Sequence, residues 1–278
     1  MPELPEVETV VRGLNAQAKG RTIRTIPHIA EHLRKRDTEL RTLAGDTFVN
    51  FDRRGKYIIA ELASGRQLLI HLRMSGQILF IDNRERRQSH DHFVSTFTTG
   101  SDKLIFRDTR KFGIMEFLRE TNNEGFRKLG IEATAITPTI LANLLSVSSR
   151  PIKALLLDQS ALAGLGNIYA DESLYLSRIH PLRPCNQVQD TEIADLASSI
   201  RKVLDSAIKK MGTTFDSYSG VNGNPGEYSR YLRVYNQEGN SCSRCGEIIV
   251  KIRAVGRGTH LCPGCQQLKP VRRRKRVR

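Results

Sequence analysis

Residues 1–20 set the first element of the fold, and they read Met1-Pro2-Glu3-Leu4-Pro5-Glu6-Val7-Glu8-Thr9-Val10-Val11-Arg12-Gly13-Leu14-Asn15-Ala16-Gln17-Ala18-Lys19-Gly20. Their apolar members recur at spacings of three and four: Val7, Val10, Val11, Leu14 and Ala18. That period places them on one face of a helix and predicts a helix over residues 5–19. Pro5 suits its first turn and Gly20 suits its end. Because a proline disfavours the helical conformation in the residue before it, we expect the N-terminus to project from the helix.

Residues from about 21 to 118 have the pattern of β-strands. Short runs of β-branched and aromatic residues alternate here with polar or glycine-containing turns. We predict strands at Tyr57–Leu62, Gln67–Leu72, Ile78–Ile81, Phe93–Thr98, Leu104–Phe106 and Ile114–Leu118. This pattern is typical of a mostly antiparallel β-sandwich or barrel, here preceded by one helix.

The segment from about 124 to 211 is predicted to be helical. Its clearest helix is marked by Ile193, Leu196, Ile200, Val203, Leu204, Ala207 and Ile208, and it ends near Gly212. The stretch Gly212–Gly226, rich in Gly, Ser and Asn, predicts a long loop, and loops of this length often carry function.

The cysteine spacing indicates a metal site. Cys242 and Cys245 are separated by two residues, as are Cys262 and Cys265, and sixteen residues lie between the two pairs. Each pair can place two thiolates on one tight turn, and two such turns complete a tetrahedron around Zn²⁺. Four cysteines leave no open coordination position, so we expect one structural zinc; two redox pairs are the alternative.

The intervening residues predict a hairpin with strands at Glu247–Arg253 and Gly258–Leu261. With the preceding segments this gives an α+β chain of four parts. They are an N-terminal β-sandwich domain with its helix at 1–122, a helical domain at 123–235, a zinc finger at 236–268 and a basic tail at 269–278.

The charge of the chain predicts a polyanionic partner. Lys and Arg number 44 against 29 Asp and Glu, which gives a net charge of +15. The tail at 269–278 carries part of this excess, and the remainder of the chain stays basic without it. A folded protein this basic usually binds nucleic acid. No run of 18 apolar residues predicts a membrane span, and the start of the chain lacks the pattern of a secretory signal, so we expect a cytoplasmic protein.

Five further motifs, with the cysteine pattern, give the chain a family resemblance. They are Met1–Thr9, Gly55-Lys56-Tyr57, His71-Leu72-Arg73-Met74-Ser75-Gly76, Asp108-Thr109-Arg110-Lys111-Phe112-Gly113 and Gly164-Leu165-Gly166-Asn167-Ile168-Tyr169-Ala170-Asp171-Glu172. In this order the chain resembles the bacterial formamidopyrimidine-DNA glycosylases from residue 2 to about residue 268.

The resemblance implies a fold and an activity. The fold is an N-terminal β-sandwich followed by a helical domain that carries a helix–two-turn–helix and a zinc finger, with double-stranded DNA running across the cleft between them. The activity is removal of oxidised purines, chiefly 8-oxoguanine and formamidopyrimidines, followed by strand cleavage at the abasic site by β,δ-elimination. A monomer is expected.

The chemistry of that activity singles out the N-terminus. An amine that attacks the sugar's anomeric carbon forms an iminium, which acidifies the neighbouring C–H for elimination. An α-amine has a pKa near 8, so roughly a tenth of it is neutral at pH 7, far more than of a lysine amine. Pro2 is therefore the expected nucleophile once Met1 is removed. Glu3 is the expected acid and base, and this role needs a raised pKa.

Two further residues are implied to assist the nucleophile. Glu6 follows it by one helical turn and could hold the terminus or a water; its alternative role is favourable interaction with the helix dipole. Lys56 is implied to contact the lesion or a phosphate, and a solvated lysine is the alternative.

Reaching a damaged base in a duplex requires the base to be flipped out of the stack. The resemblance implies that Met74, Arg110 and Phe112 fill the vacated space, with Arg110 hydrogen-bonding the orphaned cytosine. Core packing is the alternative role for the two apolar residues.

Phosphate contacts position a duplex, and the resemblance nominates His71, Asn167 and Arg257 for them, with Lys153 as a weaker candidate. His90-Asp91-His92 places two histidines on one face of a strand, but no third ligand is evident, so a metal site there is not favoured.

Three other functions fit part of the sequence. An endonuclease VIII-like enzyme would act on oxidised pyrimidines; Leu4 and the separated Met, Arg and Phe of the wedge favour the purine-directed enzyme. A non-catalytic DNA-binding protein on the same scaffold would be expected to have lost Pro2, Glu3 or Lys56, all of which are present. An RNA-binding zinc ribbon would leave the first 230 or so residues without a role.

Overall fold

The computed structural model describes residues 1–215 and 220–268. The described residues fall into two compact units, Met1–Lys128 with Ala207–Ser229, and Leu129–Ser206 with Arg230–Arg278. The tail at 269–278 and residues 216–219 of the predicted loop lie outside the described residues. The four-part division made from the sequence stays a prediction.

The first unit begins with helix α1, Leu4–Gln17, which starts one residue earlier than predicted and ends two residues sooner. Glu3 precedes it in an extended conformation, with φ −104° and ψ −169°. The Glu6 carboxylate accepts the Glu3 backbone N–H at 2.8 Å and so satisfies one of the amide groups that a helix start leaves without a partner. The N-terminus does not project as expected: Pro2 is buried and only Met1 is exposed, because α1 packs against the sheet beside it.

Eight strands follow in the described part of the first unit. They are β1 Ile23–Ile29, β2 Phe48–Arg54, β3 Tyr57–Leu62, β4 Gln67–His71, β5 Gly76–Asp82, β6 Asp91–Phe97, β7 Asp102–Asp108 and β8 Ile114–Phe117, with the short helix α2, Glu31–Arg36, after β1. They form two antiparallel four-stranded sheets, in the orders β1-β6-β7-β5 and β2-β3-β4-β8. One buried apolar core joins residues of both sheets and of α1, so the predicted β-sandwich is confirmed.

Strands β1 and β2 were not singled out by the sequence. In β1 the ladder shifts register twice and Pro27 interrupts the run, so its buried positions do not alternate with a period of two. The second half of β2 is charged, Asp52-Arg53-Arg54, because it lies outside the core of the sandwich, and β2 also contacts α1. Neither pattern carries the alternation on which strand prediction depends.

The second unit contains most of the helices. They are α4 Pro138–Ser146, α5 Ile152–Leu157, α6 Asn167–Leu176 and most of α7 Asp190–Lys209, whereas the short α3, Glu124–Arg127, belongs to the first unit. Two-residue strands β9, Ile131–Glu132, and β10, Leu162–Ala163, pair in parallel. The cysteine segment forms the hairpin β11, Val250–Ala254, with β12, Arg257–Leu261. Val255 and Gly256 both have positive φ, 47° and 74°, as a tight two-residue hairpin turn requires.

Among the described residues, no helix is both long enough and apolar enough to cross a bilayer.

The segment after α7 returns to the first unit and packs on α1. Val221 is buried in the core of that unit and its carbonyl accepts the Phe80 N–H at 3.0 Å. Gly13 makes this approach possible, since a Cβ at residue 13 would lie 2.4 Å from Val221 Cγ2.

Replacing Gly13 by Ala should therefore weaken this contact. We expect Gly13→Ala to lower the free energy of unfolding by about 1–3 kcal/mol through overpacking. Adding Val221→Ala should restore much of the loss, because only the Val221 methyl groups approach closer than 3.4 Å. Chemical denaturation of both variants measures this. If Gly13→Ala unfolds with the same free energy as the wild type, the segment that carries Val221 does not pack tightly on α1.

Candidate functional site

The N-terminal candidates surround one buried carboxylate, that of Glu6. Its Oε2 accepts the Glu3 N–H, and its Oε1 accepts the Thr213 N–H at 2.7 Å. Gly212 has φ +78°, and a Cβ there would lie 2.6 Å from Glu6 Oε1. Glu6 thus holds the start of α1 and the start of the Gly212–Gly226 segment to each other. Thr213 had no assigned role in the sequence, because a backbone donor leaves no trace in residue type, and Gly212 was assigned only the end of the preceding helix.

Pro2 and Glu3 precede α1, and the Glu3 backbone N–H donates to this carboxylate. Both residues are buried; Glu3 is 3% exposed. The preceding Met1 is 53% exposed, and the Pro2 nitrogen is an amide for as long as Met1 is attached. A buried position next to a fixed backbone is suitable for a nucleophile, since it restricts the directions from which a substrate can approach.

Lys56 occupies the turn between β2 and β3 and is 5% exposed. The Arg53 guanidinium fixes the approach to this turn: it donates to Glu8 of α1 at 3.0 Å and to the Gly55 carbonyl at 3.0 Å. The lysine is therefore held on a turn tied to the first turns of α1 and is not a solvated surface residue.

His71 ends β4 and is neutral. Burial, with the charges of Arg73 and Lys56, lowers the pKa of His71 to about 3. Its Nδ1 accepts the Arg73 backbone N–H at 2.9 Å, so the proton of the neutral ring is on Nε2. His71 can thus act only as an Nε2–H donor at neutral pH, which suits a phosphate oxygen or another acceptor.

The three wedge candidates are exposed and adjacent. Met74 lies between β4 and β5 and is 44% exposed; Phe112 lies between β7 and β8 and is 61% exposed. Arg110, also exposed, donates from Nη1 to Met74 Sδ at 3.3 Å. The two apolar side chains therefore do not pack in the core, and two loops separated in sequence present all three residues together.

In the second unit, Asn167 and Arg257 lie on contacting elements. Asn167 is the first residue of α6, and its Nδ2 donates to the Gly258 carbonyl at 3.0 Å, next to Arg257. Arg257 is exposed at the start of β12. The N-terminus of a helix attracts anions, so this arrangement suits a phosphate.

Lys153 differs from its sequence interpretation. Its Nζ is fully buried, donates to Asp171 Oδ1 at 2.6 Å and to Thr259 Oγ1 at 2.8 Å, and so is not available for the phosphate contact predicted for it. Asp171 also accepts the His260 N–H at 2.9 Å. Lys153 and Asp171 therefore hold β12 against α5 and α6.

Glu172, the next residue of α6, was part of a quoted motif but had no assigned role. Its carboxylate accepts the backbone N–H groups of Arg233, Val234 and Tyr235. Burial raises the pKa of Glu172, while those hydrogen bonds act in the opposite direction. The residue anchors the chain just before the cysteine segment.

The four cysteines form one cluster. Their Sγ atoms lie within 4.8 Å of one another, and three of the pairs are 3.4, 3.5 and 3.9 Å apart. Tetrahedral zinc–thiolate bonds of about 2.3 Å require sulfur separations of about 3.8 Å. The thiolate is the form of cysteine that binds a metal, so four sulfurs held this closely suit a shared cation. The set fits a closed structural site, and no other such group of ligands occurs in residues 1–215 and 220–268.

Comparison with known families finds a match in three successive parts of the chain. The formamidopyrimidine-DNA glycosylase N-terminal domain matches residues 1–115, the formamidopyrimidine-DNA glycosylase H2TH domain matches 129–219, and the zinc finger found in FPG and IleRS matches 239–268. The chain belongs to the formamidopyrimidine-DNA glycosylase family. The resemblance seen in the sequence is therefore confirmed, and so is the expectation that the chain is an enzyme.

Relatives of known identity cover nearly the full chain. The formamidopyrimidine-DNA glycosylase of Lactiplantibacillus plantarum is 42% identical over 96% of this chain and all of its own. The Lactococcus lactis Fpg, solved with DNA containing an abasic site, has a TM-score of 0.88 and 38% identity. MutM, solved with DNA containing carbocyclic 8-oxo-G, has a TM-score of 0.85 and 38% identity. Each of these two alignments includes the whole of the solved chain and 96% of this chain.

The buried pair in the second unit gives a stability test. We expect Lys153→Met to lower the free energy of unfolding by about 3–5 kcal/mol, because it leaves the Asp171 carboxylate buried without its counter-ion. Lys153→Met with Asp171→Leu should recover much of this loss. Lys35→Met, which breaks a pair exposed to solvent, is the control and should leave the stability unchanged. A Lys153→Met protein as stable as the control would contradict the structural role.

The metal site gives a second test. Wild-type protein should contain one zinc per chain by plasma mass spectrometry, and Cys245→Ser should contain much less. Because Arg257 lies in the hairpin between the cysteine pairs, the variant's affinity for duplex DNA should fall by about tenfold or more. Cys185→Ser, at the buried cysteine outside the cluster, should keep both the metal and the affinity. Unchanged DNA affinity in Cys245→Ser would show that the finger does not take part in binding.

Proposed function

We propose that this protein is a base-excision DNA glycosylase that removes oxidised purines, 8-oxoguanine and formamidopyrimidines, from double-stranded DNA. It then cleaves the abasic strand by β,δ-elimination through a Schiff base on Pro2. The observation that carries the proposal is the buried N-terminal arrangement, in which Glu6 fixes the backbone beside Pro2 and Glu3. A surface terminus without a chemical role would not need a buried carboxylate to hold it.

Pro2 is the proposed nucleophile after removal of Met1. Its secondary amine attacks the anomeric carbon of the damaged nucleotide, the N-glycosidic bond breaks, and the base leaves with the bonding electron pair. Loss of the ring oxygen from that carbon gives a cationic iminium between Pro2 and the opened sugar. The iminium withdraws electrons from the neighbouring C–H, and loss of a proton from that carbon, C2′, expels the 3′ phosphate in the β-elimination. Loss of a second proton, from C4′ of the conjugated product, then expels the 5′ phosphate in the δ-elimination.

Glu3 and Lys56 are the proposed partners of the nucleophile. Glu3 delivers a proton to the deoxyribose ring oxygen and shuttles protons during elimination, and at 3% exposure it is shielded from bulk water. Lys56, held on the β2–β3 turn, supplies a positive charge to a lesion or phosphate oxygen. Glu6 is the proposed positioning residue, because its two oxygens accept the backbone N–H groups of Glu3 and Thr213.

DNA is the proposed partner, and both units contribute contacts. Met74, Arg110 and Phe112 fill the space of the flipped base, and their exposure supports this role. His71, Asn167 and Arg257 contact phosphates. The relatives were solved with DNA containing abasic or oxidised sites. Zinc is the proposed metal of the four cysteines, where it folds the hairpin that carries Arg257. The monomer and the cytoplasmic location expected from the sequence stay predictions.

A borohydride trapping assay tests the proposal. Protein lacking Met1, mixed with an 8-oxoguanine duplex and borohydride, should form a covalent adduct that mass spectrometry locates on Pro2. Retention of Met1 should prevent it, since an amide nitrogen is not nucleophilic. Glu3→Gln should slow base release by about 100-fold or more, in the range of general acid catalysis.

The competing functions give different results in the same assay. An endonuclease VIII-like enzyme would prefer a thymine glycol duplex to the 8-oxoguanine duplex. A non-catalytic damage-binding protein would bind both and trap neither. Either result with protein lacking Met1 would overturn the proposed function.

A further inference from the structure

We propose that Asp108 and Ser75 are positioning residues that lock the two wedge loops, residues 73–75 and 109–113, into one rigid unit. This inference rests on the proposed function, because it concerns how the wedge is held when a base leaves the stack. Neither residue touches the reacting atoms; both act through the exposed side chains of Met74, Arg110 and Phe112.

The sheet topology brings the two loops together. Strands β4 and β8 lie in one sheet, and strands β5 and β7 lie in the other. The β4–β5 loop and the β7–β8 loop therefore both cross between the sheets. Gly76 pairs with Asp108 where the loops leave one sheet, and His71 pairs with Ile114 where they leave the other. The loops therefore run side by side at one edge of the sandwich.

The Asp108 carboxylate connects the loops. It is 1% exposed, and its Oδ1 accepts the Ser75 hydroxyl at 2.5 Å and the Arg110 N–H at 3.1 Å. Its Oδ2 accepts the Gly113 N–H at 2.7 Å. One carboxylate thus holds a side chain of the first loop and both ends of the turn in the second loop.

Ser75 completes the link from the other loop. Its hydroxyl donates to Asp108 and accepts the Arg110 backbone N–H at 3.2 Å. The Arg110 N–H therefore donates both to the Ser75 hydroxyl and to the Asp108 carboxylate. The first loop is itself tight: the Gly76 N–H donates to the Leu72 carbonyl at 2.9 Å, and a Cβ on Gly76 would lie 2.4 Å from that oxygen. Ser75 therefore cannot shift without disturbing Arg110.

The backbone of Asp108 is held from the neighbouring strand. The Asp108 N–H donates to the His90 carbonyl at 3.0 Å, and His92 Nε2 lies 2.7 Å from the Asp108 carbonyl, to which it donates. This gives the His90-Asp91-His92 motif a structural role. With its backbone fixed on both sides, the Asp108 carboxylate has a defined direction.

The charge state of residue 108 is important for this geometry. Three donors converge on its two oxygens, so both must be acceptors. An amide would place an N–H₂ group against one of these donors and leave that donor without a partner in a buried position. Holding the loops in this way before DNA binds avoids the entropy cost of ordering them at the moment of insertion.

The test compares two substrates that differ in the need to unstack a base. Ser75→Ala and Asp108→Asn are assayed under single-turnover conditions on an 8-oxoguanine duplex and on the same duplex with a preformed abasic site. We expect excision of 8-oxoguanine to fall by about tenfold in Ser75→Ala and by more in Asp108→Asn. Cleavage of the abasic site, which presents no base to displace, should stay within about twofold of wild type.

Ser95→Ala is the matched control. It removes another fully buried hydroxyl of the same unit, one that has no hydrogen-bond partner, and it should leave both rates unchanged. A double-mutant cycle adds a second readout: Ser75→Ala should have little further effect in a Met74→Ala background if the hydroxyl acts through the wedge. Thermal unfolding of Ser75→Ala checks that the milder variant is folded.

The outcomes separate this inference from the proposed function. Equal losses on both substrates, or full additivity with Met74→Ala, would overturn the positioning role and leave the glycosylase assignment intact. A wild-type protein that lacks Met1 and excises nothing would overturn the proposed function, and this inference with it. Selective loss on the 8-oxoguanine duplex would support the positioning role.

Discussion

A buried carboxylate that accepts backbone N–H groups is the interaction on which the functional loops of this protein depend. Glu6 shows it most directly. Its two oxygens bond the amides of Glu3 and Thr213, so a single side chain fixes the start of α1 and the start of the segment that follows α7. Charge-assisted bonds of this kind are stronger than neutral ones, and removing such a group from the interior leaves amides without partners. The position of the proposed nucleophile follows from that constraint.

The same device recurs elsewhere in the described residues, and three further examples bear on the candidate site. Asp108 holds the wedge loops, Glu172 holds the backbone of Arg233–Tyr235, and Asp171 holds the His260 amide while its other oxygen pairs with Lys153. Asp108 ends a strand and Glu172 lies in a helix, and the backbone donors that they bind come from irregular segments. Loops cannot bury their own amides without partners, and a rigid element that supplies the acceptors gives them one geometry.

The residues with chemical roles and the residues that hold them were not equally visible in the sequence. The chemistry of Pro2 and of the cysteines can be argued from residue type and spacing, whereas the roles of Glu3 and Met74 were implied by the family resemblance. Asp108, Asp171 and Glu172 belong to the same motifs, yet their partners are backbone amides or residues far away in the chain. Lys153 was a weaker candidate for a phosphate contact, and in the structure it forms a buried ion pair with Asp171.

The sequence by itself determined the elements with a clear local period, among them α1, β3 and α7, and it determined the metal site through the spacing of two cysteine pairs. These features depend on neighbours within a few residues, so local pattern is sufficient for them. Only the tertiary structure decided that Pro2 is buried, that Lys153 meets Asp171 and Thr259, and that one carboxylate joins two loops. Those outcomes depend on burial and on partners brought together by packing, and a charged group has a different role according to whether water or a counter-ion surrounds it.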